Sequence, residues 1–283
     1  MSDTILVGYD GSPSAKVALD WALRRAEAAG LDVDVLYVAD TSWDSEAFTA
    51  TPHLEQQGAV VLAEAAFHAD SKAPHAQVTP RVLAGDPVAV LCAEAEATGA
   101  QMLVVGSYRK DLYERLTTSA VSLRVAAAST VPVAVIPDVS HGHRTGVVVG
   151  IDGGEASASV LAVAVAEAAR LGEPLTVLSA WTLPPMTMSE FGDDTVLYDA
   201  LEERAQAGVA TALAHVDTSA VTVATKVVLD SPVTALLTAS TDAALLVVGS
   251  HGRRGLSRFL LGSVSHDVLV HATTPTLVIR VSV

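Results

Sequence analysis

The chain has 283 residues, long enough for two domains of ordinary size; half of the residues are hydrophobic and only 4% are aromatic. Its formal net charge of −15 would repel phosphate backbones and anionic lipids, so nucleic acids and membrane surfaces are disfavoured as partners. The single cysteine excludes an intramolecular disulfide framework, and the lack of a long apolar run or a secretory signal predicts a cytoplasmic protein.

Apolar runs rich in branched residues alternate with alanine-rich stretches along the first half of the chain. Such runs are typical of strands that are buried on both faces of a parallel sheet. The predicted strands are Thr4–Gly8, Val33–Ala39, Val78–Leu83, Met102–Val105 and Val133–Ile136. Between them, helical spacing predicts helices over Ser14–Ala29, Glu55–Ala66 and Pro87–Ala97, and Gly30 is placed to end the first helix. This alternation predicts a doubly wound α/β domain.

The second half of the chain repeats the first. "ILVGYDGSPSA" returns as "VVVGIDGGEAS", "AQMLVVGSYRK" returns as "AALLVVGSHGR", and both pairs occur in the same order. The polar segment "PDVSHGHRT" lies between the two copies, as expected of a linker. We therefore predict two tandem doubly wound domains, residues 1–138 and 146–283, joined by a linker at residues 139–145. Each domain should have a parallel sheet of about five strands flanked by helices.

The stretch "GSHGRRGLSRFLLGSVSHD" follows a strand-like run in the second copy and predicts a phosphate site. Glycine has no Cβ and tolerates positive φ, so Gly249, Gly252 and Gly262 would let backbone N–H groups converge on an oxyanion. Ser263–Ala272 is predicted to be a helix, and the free N–H groups and dipole at its start favour a phosphate. In doubly wound domains, ligands bind beyond the carboxyl ends of the strands, where this stretch begins.

Other chemistry has little support. The sequence contains no Gly-x-x-x-x-Gly-Lys-Ser/Thr loop, no Gly-x-Gly-x-x-Gly after the first strand of either copy, and no Gly-x-Ser-x-Gly elbow. Cys92 lies in an apolar helical stretch, which favours inert packing. His266 and His271 do not share a helix face, so no dedicated metal site is predicted. The segment "MTMSEFGDDTVLYD", which contains Asp193 and Asp194, is predicted to be a polar loop.

The spacing Gly-x2-Gly-x9-Gly-Ser in this stretch resembles the ATP-binding signature of the universal stress protein family. The segments "VGYDGS", "VGIDGG", "AGDP" and "LDSP" also resemble that family, so the resemblance covers essentially the whole chain. It implies an adenine nucleotide alpha hydrolase-like fold and ATP as the ligand, with Mg²⁺ accompanying the phosphates. The implied ligand-binding residues are Asp152, Ala180, Val248, Gly249, Gly252, Gly262, Ser263, Val264 and Ser265.

Three of these residues also have simpler explanations. The resemblance implies that Asp152 holds the ribose or a metal, whereas a cap for a helix starting near Glu155 is the alternative. It implies that Ala180, in "LSAW" after the second strand, offers its backbone to adenine, whereas a core position is the alternative. Gly249 is alternatively only a turn residue. The joint spacing, rather than any single residue, therefore carries the prediction.

The first copy keeps only part of the glycine pattern. Gly106 matches Gly249, but Arg109 replaces the second glycine, Ser119 the third, and Ala120 the serine that follows. Arg109 disfavours a positive φ, and Ser119 brings a Cβ into the phosphate position. We therefore predict that one ATP binds per chain, in the second domain, and that the first domain has a structural or regulatory role.

Two classes of function remain open from the sequence. The first is a nucleotide-dependent regulatory or stress-response protein that acts on an unidentified protein partner. The alternative is a slow ATPase or phosphotransferase, because phosphoryl transfer depends mainly on positioning and charge stabilisation. The resemblance also implies association through the last strands, Val133–Ile136 and Thr276–Ile279. Pairing of these strands would produce either a pseudo-dimer within one chain or the homodimer that we predict.

Overall fold

The computed structural model describes residues 3–45, 49–108, 121–139, 144–183, 194–250 and 261–280. By its internal contacts the chain divides into two compact units, Met1–Ser140 and His141–Val283, here called unit 1 and unit 2.

Unit 1 is a parallel α/β unit. Its described strands are β1 (Thr4–Gly8), β2 (Asp32–Asp40), β3 (Val78–Gly85), β4 (Met102–Ser107) and β5 (Val133–Pro137). Its described helices are α1 (Pro13–Ala29), α2 (Thr51–Lys72), α3 (Pro87–Ala97) and α4 (Val121–Ala128). The strands are hydrogen-bonded in the order β3-β2-β1-β4-β5, and every pair is parallel. The chain turns to opposite sides of the sheet after β1 and β4, which leaves a crevice between their carboxyl ends.

Unit 2 has the same architecture. Its described strands are β6 (Val147–Gly150), β7 (Leu175–Trp181), β8 (Val223–Leu229), β9 (Leu245–Gly249) and β10 (Thr276–Ile279). Its described helices are α5 (Ser157–Leu171), α6 (Asp194–Ala214), α7 (Pro232–Ala239) and α8 (Ser263–His271). The order is β8-β7-β6-β9-β10, again entirely parallel, so β6 and β9 flank the corresponding crevice. The predicted fold class is confirmed in both units.

The sequence dictates where α1 begins and ends. Ser12 is the N-cap of α1, and its hydroxyl accepts a hydrogen bond from the Ala15 N–H at 3.2 Å. Pro13 follows at the first helical position, where a missing N–H costs nothing. Gly30 ends the helix with φ of 65° in the left-handed region, as the sequence predicted.

The cores of both units are formed by the central strands and the helix faces against them. Ile5, Leu6 and Val7 of β1 have no exposed surface, and the same is true of Val147 and Val149 of β6. A strand that is covered by helices on both faces needs apolar side chains at consecutive positions, which explains the unbroken apolar runs in the sequence.

Two helices differ from the prediction. The segment expected to be a polar loop contains the start of α6, which begins at Asp194; its alanine-rich continuation lowers the cost of helix formation. Helix α2 begins earlier and ends later than predicted. Asp44 holds its start in place: its carboxylate accepts hydrogen bonds from the N–H groups of Ala50 and Thr51 and from the Thr51 hydroxyl. These bonds, led by that from the hydroxyl, lower the pKa of Asp44.

None of the helices in the described parts of the chain is both long and apolar enough to cross a membrane.

Candidate functional site

The crevice of unit 2 is bordered by the residues that follow β6 and β9. Asp152 comes two positions after the end of β6, and Ser250 directly follows β9. Val248 of β9 is buried and lies opposite Gly150 of β6 in the ladder, so it belongs to the floor of the crevice. The sheet therefore brings together at one edge two segments that are far apart in the sequence.

Asp152 organises the loop after β6. Its Oδ1 accepts hydrogen bonds from the Gly154 N–H at 2.9 Å and from the Ser157 hydroxyl at 3.2 Å. Helix α5 starts at Ser157, with Ala156 as an N-cap that makes no side-chain hydrogen bond. Asp152 thus ties the loop to the first turn of α5, a position at the crevice in which it stays half-buried.

Ala180 lies within β7 rather than after it, because β7 continues to Trp181. In a parallel strand, alternate residues turn both their N–H and C=O groups toward the same neighbour. The Leu178 carbonyl accepts from Ile151 after β6, and the Trp181 carbonyl accepts from Asp230 after β8. The backbone of Ala180 therefore faces the side of β6, beyond the last β6–β7 ladder pair at Gly150 and Leu178. A donor and an acceptor thus point into the crevice from one residue.

The two ends of the glycine-rich segment are held together by hydrogen bonds. The Gly262 N–H donates to the Ser250 carbonyl at 2.8 Å. The hydroxyl of Ser265 lies 3.2 Å from the same carbonyl and 3.1 Å from the Gly262 carbonyl, and Ser265 is only 3% exposed. This hydroxyl is therefore turned toward the protein, where it fixes the start of α8 beside the end of β9.

The N-terminus of α8 meets the crevice at Gly262. The first bond of the helix runs from His266 N–H to the Gly262 carbonyl, so the N–H groups of Ser263, Val264 and Ser265 come before the intrahelical ladder. Gly262 has φ of −60°, a conformation open to any residue, so glycine contributes a missing Cβ there rather than a left-handed backbone. Ser263 is exposed and Val264 half-buried.

Part of the predicted site lies outside the described residues. Gly252 falls in the segment 251–260, and Arg109, Ser119 and Ala120 of the first copy fall in the segment 109–120. The roles predicted for these residues remain predictions.

An aromatic pair lies next to Ala180 and was missed by the sequence reasoning. The rings of Trp181 and Tyr198 meet edge to face, with centroids 6.0 Å apart and an interplanar angle of 78°. Tyr198 belongs to α6, whose start was predicted to be a loop. The sequence did contain one indication: aromatic residues make up only 4% of the chain, so a tryptophan at the end of a strand is unusual.

Unit 1 has a cleft at the equivalent edge of its sheet. It is lined by residues that follow β1 and by residues of β2, β4 and the first turn of α4. Asp10 in this cleft accepts a hydrogen bond from the Ser12 N–H at 2.9 Å, as Asp152 does from Gly154. The cleft is lined by Gly8, Tyr9, Asp10, Ser12, Ser14, Ala15, Leu36, Val38, Pro87, Leu91, Val105, Gly106, Val121 and Ser122.

In the described part of the chain, neither Cys92 nor the grouping of possible metal ligands indicates a reactive thiol or a metal site. Burial, followed by the charges of Asp86 and Glu96, raises the pKa of the Cys92 thiol to about 11, so the reactive thiolate is scarce at neutral pH. Among the residues that the structure describes, no three histidine, cysteine or acidic side chains are grouped so that they could hold a metal ion.

Comparisons with known proteins agree with this architecture. The family model "Universal stress protein family" matches residues 1–137 and 144–280. Universal stress protein Rv2005c of Mycobacterium tuberculosis is 33% identical over 98% of this chain and 97% of its own length. A universal stress protein from Archaeoglobus fulgidus, solved by crystallography, covers 99% of this chain and 97% of its own, with a TM-score of 0.70 and 20% identity. A universal stress protein solved in complex with cAMP resembles 47% of this chain at 27% identity, covers 95% of its own length and has a TM-score of 0.39.

The chain therefore belongs to the universal stress protein family, with one copy of the family domain matched in each half.

Proposed function

We propose that unit 2 binds one ATP per chain and that occupancy of this site regulates a stress response in the cytoplasm through a protein partner. The phosphates would lie at the start of α8, with Mg²⁺ as their counter-ion. Domain boundaries at 1–138 and 146–283, with the linker at 139–145, are part of the proposal, and the break between the compact units at Ser140 supports them.

One observation carries the phosphate assignment. The N-terminus of α8 is held at the open edge of the sheet by the contact between Gly262 and Ser250, and three N–H groups precede its first intrahelical bond. Free N–H groups and the positive end of the helix dipole favour an anion at this point. Gly262, which lacks a Cβ, leaves room for a phosphate to approach these groups.

The other end of the crevice supports a nucleoside. The N–H and C=O of Ala180 face the same way, which matches an aromatic base edge that carries both a donor and an acceptor. Asp152 lies between this point and α8 along the edge of the sheet, and its carboxylate is suited to accept hydrogen bonds from ribose hydroxyls.

Regulation is favoured over catalysis because the Asp152 carboxylate at this edge already accepts hydrogen bonds that hold the loop. Oδ1 of Asp152 accepts hydrogen bonds from Gly154 and Ser157, and the ribose contact proposed above would engage Oδ2, so neither oxygen is assigned to activating water. We therefore expect little or no hydrolysis. Turnover near the roughly 10 s⁻¹ typical of enzymes would instead place the protein among the enzymes. Loss of this turnover in Asp152→Ala would show that it does not come from a contaminant.

Calorimetric titration of nucleotide-stripped protein tests the proposal. ATP should bind with a stoichiometry near one, and Gly262→Val should abolish this binding because its side chain would occupy the phosphate position. Ala210→Val, on an exposed position of α6, is the matched control and should bind ATP normally. Unchanged ATP affinity in a folded Gly262→Val protein would overturn the assignment.

We also propose that the chain forms a homodimer through its last strands, β5 and β10. The family resemblance is the basis of this proposal; all residues of both strands are buried, and all but Thr276 are apolar. Sedimentation equilibrium at tens of micromolar should show a dimer, and a strictly monomeric profile would contradict this.

A further inference from the structure

Strands β3 of unit 1 and β8 of unit 2 occupy equivalent places in the repeat, but their outer edges differ. In the described parts of the chain, each is hydrogen-bonded to a single neighbour and ends the order of its sheet. The N–H and C=O groups on the outer side of such a strand can pair with a further strand unless something blocks them. The chemistry of these two edges therefore decides where another chain could add to a sheet.

The outer edge of β3 is blocked by a proline. The Val33 N–H of β2 donates to the Gln77 carbonyl, so odd-numbered residues of this stretch face β2 and even-numbered residues face away from it. Pro80 therefore lies on the outer side of β3, where it offers no N–H. Proline at such a position prevents an edge strand from pairing with another chain.

The outer edge of β8 has no such block. The Leu175 N–H of β7 donates to the Thr222 carbonyl, so even-numbered residues of this stretch face β7. The N–H and C=O groups of four residues point outward instead: Val223, Thr225, Val227 and Leu229. Among the residues that the structure describes, no backbone group is hydrogen-bonded to these outward groups. By the repeat, Thr225 stands where β3 has Pro80.

A charged residue of β8 also lacks the partners of its equivalent in β3. Arg81 of β3 forms ion pairs with Asp34 of β2 at 3.6 Å and with Glu94 of α3 at 2.8 Å. The residues of unit 2 at the three corresponding positions are Lys226, Thr176 and Ala239. Both carboxylates are therefore missing beside Lys226, and its side chain is exposed.

We infer that β8 pairs with β8 of a second copy of this chain, antiparallel and about a twofold axis at Val227. In this register the outward groups of Thr225 meet those of Leu229 in the second copy, and the two Val227 residues meet each other. Leu229, which is 50% exposed in the single chain, would be partly covered by Thr225 and Val227 of the second copy. A surface that pairs with itself in this way uses both open edges in one closed contact.

Charge favours a second copy over another partner as the occupant of this edge. Alternate side chains share a face of a strand, so Lys226, Val228 and Asp230 lie on the same side. About the axis at Val227, Lys226 lies opposite Val228 of the second copy and diagonal to its Asp230. Diagonal neighbours are about 7–8 Å apart, within reach of a lysine side chain. Asp230 is exposed, so each copy supplies the carboxylate that Lys226 of the other lacks.

The two Lys226 residues are also diagonal neighbours across the axis. Their long side chains can extend away from each other, toward the two carboxylates. The interface is a single pair of short strands, at the small end of the range for protein contacts, so we expect weak association. It should be measurable at several hundred micromolar, above the concentration at which the dimer of the last strands is tested.

Sedimentation equilibrium at several hundred micromolar tests the inference with Thr225→Pro. This change removes an outward N–H, as Pro80 does in β3, and should weaken self-association at least tenfold, so that the mass of the assembly halves. The equivalent strand β3 already accommodates proline at this place, so the variant should fold, and its melting temperature checks this. Thr225→Ala keeps the N–H and is the matched control, which should have the mass of the wild type.

Reversing the charges tests the pairing independently. Lys226→Glu and Asp230→Lys should each weaken self-association roughly tenfold at low salt, because each places like charges next to each other twice across the axis. The double variant should restore it. Arg204→Glu, which makes the same charge change at an exposed position of α6, should have no effect. A double variant as weak as the single ones would overturn the pairing.

The mass of Thr225→Pro also distinguishes this interface from the proposed homodimer. If the last strands pair, this variant should have the mass of two chains, and if they do not, the mass of one. In either case the wild type should have twice the mass of the variant. Equal masses for the wild type and Thr225→Pro would overturn the inference, including the case in which the edge takes up an extended segment of another protein.

Discussion

The loop after the first strand has the same geometry in both units. The Asp10 and Asp152 carboxylates each accept a hydrogen bond from the N–H two residues later, at 2.9 Å in both cases. Gly11 and Gly153 follow with φ of 80° and 72°, a conformation that favours glycine. The order of the strands is also the same. These shared features are those that a turn from a parallel strand into a helix requires.

The units differ where a helix begins near the crevice. Helix α1 starts at Pro13 with a side-chain cap from Ser12, whereas α5 starts at Ser157 without one. At the other border of the crevice, Gly262 precedes α8, whereas the first copy has Ser119 at the corresponding position. The fold therefore constrains the Asp-Gly turn and the sheet, whereas the positions that we propose to face phosphates in unit 2 differ between the two copies.

Restoring the glycine pattern in the first copy should have the largest effect. In a chain with Arg109→Gly, Ser119→Gly and Ala120→Ser, we expect ATP stoichiometry to rise from near one to near two, because the missing Cβ and the added hydroxyl recreate the pattern of unit 2. Calorimetry of stripped protein measures this. Arg109→Lys with Ser119→Ala and Ala120→Ser is the matched control and should stay near one; a similar gain there would show that glycine is not what matters.

Much of the fold, but less of the candidate site, could be predicted from the sequence. The repeat and the apolar runs predicted the strands, and Gly30 ends the first helix as predicted. The start of α6 was not predicted, because Asp193 and Asp194 are typical of a polar loop, whereas the alanine-rich residues after them continue as a helix. The Ser265 hydroxyl bonds and the orientation of Ala180 depend on how distant segments meet, so the sequence alone could not provide them.

Gly106→Ala should destabilise the protein next most strongly. The new Cβ would meet the Ser14 backbone, which belongs to the helix start and cannot move like a flexible side chain. We expect a loss of about 1–3 kcal/mol in the free energy of unfolding, the usual cost of overpacking. Urea denaturation measures it. Gly8→Ala is the control, since its Cβ would meet side-chain carbons rather than backbone, those of Leu91 at 3.1 and 3.2 Å and of Val105 at 3.3 Å. Equal losses in the two variants would contradict the packing argument.

The N-caps of α3 and α7 offer a smaller contrast. Asp86 accepts a hydrogen bond from the Ala89 N–H at 2.8 Å, whereas Ser231, at the corresponding cap of α7, makes no side-chain bond. Asp86→Ala should lower the free energy of unfolding by about 1 kcal/mol, and Ser231→Ala should hardly change it. Thermal melts at pH 7 should show the difference; equal shifts would refute it.

The contribution of the Asp86 cap should also depend on pH. The hydrogen bond from Ala89, followed by the charge of Arg124, lowers the pKa of Asp86. The stabilisation by this cap is therefore present above pH 3.8 and is lost as pH falls through the lowered pKa.

The smallest effect should come from an ion pair of unit 1. The His75 ring donates to Glu27 of α1, and this bond raises the pKa of His75 above 6.5 and lowers that of Glu27 below 4.5. Stability from His75 is complete below pH 6.5 and lost as pH rises through its raised pKa, whereas that from Glu27 is present above pH 4.5 and lost as pH falls through its lowered pKa.

Glu27→Gln should therefore lower the melting temperature slightly near pH 5.5, which lies between those two values, and less at pH 9. His75 is exposed and Glu27 is partly exposed, so solvent screening keeps the shift small, and 1 M salt should reduce it further. Glu55→Gln, at an exposed position of α2, is the matched control and should show no such dependence on pH. A shift of the same size at both pH values would mean that the substitution acts through packing rather than through charge.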